Sequence, residues 1–478
     1  MIILEILFWF FLIIVFYSYI GYGILITLIS KVSFLKKILP KPYNSIKQEF
    51  LVSENEEYYP TVSMIISASG ETSEIIREKI INTYNLDYPK DKLEVIFAVA
   101  FEQGDINDET INEYYDNFLE EINFKDITSK DEELYVHFMQ FDEADIKSKE
   151  KYLDELTKKL EMSEFSSEGI TPGAKSKMDS MFKGESENEL RVFVTKDIER
   201  KGKISQVNRT VKTATGEIFV FSDANSMFNK ESLTNLTRHF RDKSVGCVAG
   251  EKRVKTNEKS TSGEGEGLYW KYESYLKKMD SDVYSAVGAA GEIFAVRKEL
   301  WGEGAQHNAI IEDFVLSMQI AERGYRVVYE PDAYAEEDPT LNVQSEYKRR
   351  VRIAAGGFQS INWLRPLLNP FKFGVLSFEY ISHRVLRWAV VPFLLPIIFL
   401  INVILTFNNS LFYTYILLLQ IVFYALALIG YFLEQRRIKI KVFYLPFVLT
   451  MMNVAAIAGF MRYKKGRQNV VWEKVQRV

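Results

Sequence analysis

Hydrophobic and polar positions along this chain follow two different rhythms. Residues 6–30, "ILFWFFLIIVFYSYIGYGILITLIS", carry no charge, and a helix needs about 20 such residues to cross a bilayer. Residues 389–406, 411–432 and 442–461 pass the same test, so the pattern predicts one N-terminal and three C-terminal membrane helices. Between them, over 60–363, short apolar runs alternate with helical periodicity: "PTVSMIISAS", a helix over 74–84, then "LEVIFAVA". Such alternation predicts a parallel sheet with crossover helices, an α/β domain whose ligand site lies at the carboxyl ends of the strands.

The first apolar run lacks the basic start and small-residue cleavage site of a signal peptide, so residues 1–30 read as a retained anchor. Lys31, Lys36, Lys37 and Lys41 follow in a linker over 31–59 and place the next domain in the cytoplasm. The "FNNS" break at 407–410 reads as a turn on the far side, and "EQRRIKIK" at 434–441 returns to the basic side. A third full crossing would leave "RYKKGR", at the start of the 462–478 tail, outside against the same rule; a re-entrant last segment is the alternative. Residues 364–388, with Pro366 and Pro370, read as an interfacial element, with His383, Arg384 and Arg387 as headgroup anchors.

Composition narrows the function classes. A net charge of −5 argues against a nucleic-acid partner, and a single cysteine, Cys247, excludes an intrachain disulfide and a multi-cysteine metal site. Residues 102–190 hold 25 Asp and Glu against 10 Lys and Arg, which reads as a solvated acidic insertion or a lobe that docks a protein partner. The sharpest chemical signal is "IFVFSDANS", four apolar residues and then Asp223 and Asn225 where a strand should end. Hard oxygen donors in that place suit a divalent cation holding a diphosphate, although Asp and Asn are also ordinary turn residues.

Asp223 has company in a fixed order: "GKISQVN" before it, then "GAAGEIFAVRKELW", "IIEDFVLS" and "YKRRVRIAAGG" after it. With these motifs the chain resembles a membrane-bound family 2 glycosyltransferase of the GT-A fold, the group of cellulose synthase, hyaluronan synthase and many bacterial exopolysaccharide enzymes. The resemblance covers residues 60–357 apart from the insertion and continues into the membrane region. It implies a GT-A, Rossmann-like domain that transfers a sugar, with inversion, from a nucleotide-sugar, usually a UDP-sugar, to a growing glycan or a lipid-linked acceptor. It further implies Mg²⁺ or Mn²⁺ and a bacterial plasma-membrane location with the catalytic domain cytoplasmic.

Residue by residue, the resemblance makes Asp223 the metal ligand with Asn225 in the second place, and Asp313 the general base. Lys203 and Arg352 become diphosphate contacts, with Asn208 supporting. Glu71 falls in the nucleotide loop after the first strand, and Glu102 is the nearest carboxylate to the loop that reads the base. Gly288, Gly291 and Glu312 border donor and acceptor. Two departures stand out: the loops at 67–71 and 101–105 depart from the family pattern, and Ile353 replaces the tryptophan that usually stacks an acceptor sugar. The altered loops motivate a second reading, a non-catalytic membrane scaffold, and the missing tryptophan leans towards single addition over processive synthesis.

Overall fold

The computed structural model describes residues 1–52, 56–68, 71, 73–100, 136–141, 190–197, 203–255, 261–302, 308–338, 343–408, 410–436 and 440–466. Its strands are β1 (Val62–Ala68), β2 (Leu93–Ala100), β3 (Val136–Phe141), β4 (Leu190–Asp197), β5 (Ile218–Asp223), β6 (Met227–Phe228), β7 (Val245–Val254), β8 (Ile293–Arg297) and β9 (Arg326–Glu337). The helices used below are α1 (Ile2–Lys31), α2 (Ser73–Tyr84), α3 (Lys203–Val211), α4 (Thr261–Val283), α5 (Glu312–Glu322), α6 (Val343–Trp363), α7 (Val375–Thr406), α8 (Leu411–Gln435) and α9 (Lys441–Lys464). The chain divides into two units, one of residues 1–51, 239–294 and 305–478, the other of residues 52–238 and 295–304.

The second unit is an α/β layer. Its strands run β3-β4-β2-β1-β5, each pair parallel. β1 is buried along its whole length, as expected of a strand covered on both faces. β3 lies inside the acidic segment 102–190, which thus adds a strand to the sheet edge. A buried carboxylate joins three elements at the amino end of the sheet. Glu94 of β2 accepts from the Ser63 hydroxyl of β1 and from the Thr215 backbone N–H at 2.6 Å, in the turn that feeds β5. Gly216 in that turn has no room for a side chain, because a Cβ there would stand 2.5 Å from the Ser63 nitrogen.

In the first unit β7 and β9 pair in parallel. Four helices are long and apolar enough to cross a membrane, Ile2–Lys31, Val375–Thr406, Leu411–Gln435 and Val442–Lys464, which matches the four apolar runs of the sequence. Phe8 near the start of α1 packs with Ile398, Ile401 and Leu405 of α7 and Tyr413 of α8. Near its other end, α1 packs Tyr22 and Ile26 against Leu276 of α4. The segment 364–388 is not one interfacial element: short turns at Arg365–Leu368 and Pro370–Phe373 precede a helix that starts at Val375 and passes through a π-helical stretch, Ile381–Val390.

That extension moves three basic residues. His383, Arg384 and Arg387 do not reach towards headgroups; they are buried against Glu273 and Asp280 of α4. A charge inside a membrane helix is retained where a partner from the protein neutralises it, and α4 provides those partners. α9 lies along α6: a side chain at Gly459 would stand 2.6 Å from the Ala354 Cβ and 2.8 Å from the Val351 carbonyl, and the Phe460 ring lies tilted against that of Phe358, 4.9 Å between centroids.

Candidate active site

β5 ends where the sequence pattern predicts, and its register with β1 sets Asp223 beside Ser67 at the carboxyl edge of the sheet. The chain then turns sharply. The Ala224 N–H donates to the Ser67 carbonyl at 3.0 Å, and the Ser226 N–H to the Asp223 carbonyl at 3.1 Å. Asn225 sits half-buried in this turn, two residues from Asp223. Beneath it lies Lys79 of α2, fully buried, whose ammonium donates to the Ser222 hydroxyl at 2.8 Å and to the Ser226 carbonyl, 4.2 Å from the Phe228 ring centroid. Lys79 was not among the sequence candidates. Its signal was its position between Ile76 and Ile80 on the core face of α2, where a solvated lysine has no place.

Asp223 faces Lys203. The Lys203 ammonium stands 2.6 Å from Asp223 Oδ1, with the two side chains 14% and 16% exposed. α3 presents Lys203 at its first residue and buries Asn208 five positions on. Glu71 lies half-buried in the loop after β1, and Glu102 falls outside the described residues. For the cation, this chain offers one carboxylate and one amide oxygen. Among the described residues no group of three or more His, Cys, Asp or Glu gathers to enclose a metal. Mg²⁺ and Mn²⁺ accept such a sparse set when substrate phosphates and water complete the shell, so the residues fit a cation shared with a diphosphate and not one held by protein alone.

The first unit carries the other candidates. Asp313 is the second residue of α5, and Glu312 before it is buried. The Ser317 hydroxyl donates to the Asp313 carbonyl at 2.8 Å and accepts from the Ala289 N–H at 3.0 Å, which ties the loop of Gly288 and Gly291 to the first turn of α5. Gly288 has φ +89°, and the Phe314 ring occupies the space its side chain would need. Glycine is therefore demanded here by backbone conformation and by Phe314 together.

Three basic residues of this unit, Lys252, Arg349 and Arg350, are paired. Lys252 joins Glu292 and, at 2.5 Å, Glu337. Burial alone would raise the Glu292 carboxyl, but Lys252 and Arg349 overcome it and hold it well below the usual range. Arg352 lies half-buried on α6. Its neighbours Arg349 and Arg350 both bond Glu346, at 3.0 and 2.6 Å. Burial pushes Glu346 up, and the two guanidiniums bring it down to about 2.

Comparison with known proteins identifies the architecture. Residues 218–428 match the profile described as Glycosyl transferase family group 2, a stretch that includes Asp223, Asp313 and Arg352. The poly-beta-1,6-N-acetyl-D-glucosamine synthase of Staphylococcus aureus is 25% identical over 181 residues, 36% of this chain and 42% of that protein. The match thus spans less than half the length of the curated relative. A solved mannosyltransferase from Pyrobaculum calidifontis, in complex with GDP-Man and Mn²⁺, aligns over 97% of this chain and 100% of its own, with a TM-score of 0.57 at 20% identity. At that identity the likeness establishes the fold, a GT-A glycosyltransferase fold, as the sequence motifs imply.

Proposed function

We propose that this chain, whose residues 218–428 match the Glycosyl transferase family group 2 profile, is a membrane-integral inverting glycosyltransferase. The donor is a nucleotide-sugar, read as a UDP-sugar, and the acceptor a growing glycan or a lipid-linked sugar. The observation that carries this reading is the Asp223 turn: a strand of a parallel sheet delivers a carboxylate to the edge where nucleotides bind, against the ammonium of Lys203. The catalytic domain faces the cytoplasm, since the basic residues 31–41 follow the first span.

In the reaction, Asp313 accepts the proton of the acceptor hydroxyl as its oxygen attacks the anomeric carbon. The new C–O bond forms on the face opposite the breaking C–O bond to phosphate, which gives inversion. Lys203 and Arg352 meet the negative charge that develops on the departing nucleoside diphosphate, Arg352 with the forked geometry suited to phosphate oxygens. Asp223 and Asn225 would hold a Mg²⁺ or Mn²⁺ ion, which when bound neutralises part of the same charge. Gly288 and Gly291 keep the side chains of the 288–291 loop small, and the Ser317 bonds fix that loop to the helix bearing the base.

The test is a panel of nucleotide-sugars offered to the purified full chain in lipid with Mn²⁺, with mass analysis of the product. Sugar transfer from one donor is the expected result. Absence of turnover with every donor, with glycan and lipid acceptors supplied, favours the non-catalytic scaffold.

A further inference from the structure

Behind the Gly288 loop lies a group of charges that the reaction above does not use. Lys277 of α4 is 5% exposed and Arg384 of α7 is 9% exposed. Glu273, one turn before Lys277, is engaged by Arg384, by Arg387 at 3.2 Å and by His383 at 3.2 Å. Burial would raise its carboxyl, yet Arg384, His383 and Arg387 hold it well below the usual range. Lys277 is left out of this network. Among the described residues it has no hydrogen bond and no ion pair, and its ammonium lies 6.0 Å from the Tyr329 ring centroid.

Arg384 is also incompletely satisfied, for its Nε has no hydrogen-bond partner. Its Nη2 reaches the Val287 carbonyl, the residue before Gly288, at 3.5 Å, and its guanidinium lies 5.8 Å from the ring of Phe314, the residue after Asp313. Burial first, and then the charge of Arg384, lower the Lys277 ammonium from its ordinary range, and together they outweigh Glu273, Asp313 and Glu292, which act in the opposite sense. Two buried cations of like sign, one unpaired, cost a fold several kcal/mol. Such an arrangement marks a place where a ligand brings the missing negative charge.

We propose that Lys277 and Arg384 form a subsite for a phosphoryl group carried by a membrane-borne acceptor. The inference rests on the reading of Asp313 as the acceptor-side base. Arg384 belongs to a helix fit to span the membrane, which is where a lipid phosphate would arrive. A donor diphosphate finds its counter-charge in Lys203 and Arg352. Phosphate oxygens would accept from the Lys277 ammonium and from the free Nε of Arg384, both charge-assisted bonds.

The test uses the full chain in nanodiscs of zwitterionic lipid and reads binding without turnover. The probes are a polyprenyl monophosphate, the uncharged polyprenol of the same length, and UDP. Wild-type protein should bind the monophosphate more tightly than the polyprenol. Lys277→Gln and Lys277→Met should lose about tenfold in monophosphate affinity, with Lys277→Arg largely retaining it and UDP affinity unchanged. Because the substitution removes an unpaired buried charge, Lys277→Met should melt no lower than wild type without ligand. Equal binding of the two polyprenyl probes, or unchanged affinity in Lys277→Gln, would overturn the proposal. Loss of UDP affinity instead would assign the phosphoryl group to the donor and overturn the acceptor assignment. A chain that binds the monophosphate through Lys277 yet transfers no sugar would refute the enzyme reading and leave this subsite standing.

Discussion

Asp223 and Lys203 form the tightest link between sequence and chemistry, because a carboxylate and an ammonium 2.6 Å apart mark where charge is to be handled. Lys203→Met should raise the donor KM about tenfold, as expected for loss of one charge-assisted phosphate contact, and steady-state kinetics over a donor series checks it. Lys79 acts from beneath. Lys79→Met keeps the volume but leaves the Ser222 hydroxyl and the Ser226 carbonyl without their ammonium donor, so melting should show a loss of about 1–3 kcal/mol together with weaker Mn²⁺ dependence. Asp223 was legible because an apolar strand pattern stops on it. Lys79 was not, because a lysine in a helix reads as solvated until the opposite wall of its pocket is known. His383, Arg384 and Arg387 misled for a related reason: their place beside an apolar run gives depth along the helix but not direction, and their partners Glu273 and Asp280 lie more than a hundred residues away.

Elements were legible where one period persists. β1, β2 and β5 announced themselves as apolar runs, and the four long apolar helices stand where charge-free stretches predicted them. The start of α7 at Val375 was hidden by the polar faces of Glu379, His383, Arg384 and Arg387, which break the apolar run although all of them pack inward. The loop before α5 makes its own prediction. Gly288→Ala forces a side chain into φ +89° and into Phe314, so it should cost about 1–3 kcal/mol and displace the loop that borders Asp313, visible as a lower melting temperature and reduced kcat. α6 predicts a pH response. Glu346 has its carboxyl lowered to about 2 in the fold, against 4.5 ordinarily. Its stabilisation is therefore full above about pH 4.5 and is lost as pH falls towards 2. Melting of Glu346→Gln against wild type should show a deficit on the order of 2 kcal/mol at pH 6 that shrinks as the buffer is acidified through that window. A constant deficit would deny the ion pairs their role.

For the membrane-bearing unit as a whole, the positive charge that follows α9 makes a prediction. α9 begins against the end of α8, where Gly430 and Tyr431 meet Phe443 and Phe447, and it finishes against Ala354 and Phe358 of α6. A re-entrant α9 would keep Arg462, Lys464 and Lys465 on the cytoplasmic side expected for positive charge. A Lys465→Cys variant should react with a membrane-impermeant maleimide only in inverted vesicles; labelling of intact cells would show a crossing. The account as a whole turns on Asp313 as the group that takes the acceptor's proton. Its most direct test compares Asp313→Asn with wild type in the same membranes, reading transfer rate and donor affinity together. The account predicts a fall in kcat of about 10²–10⁴ with donor affinity preserved, and a transfer rate unchanged by the substitution would contradict it.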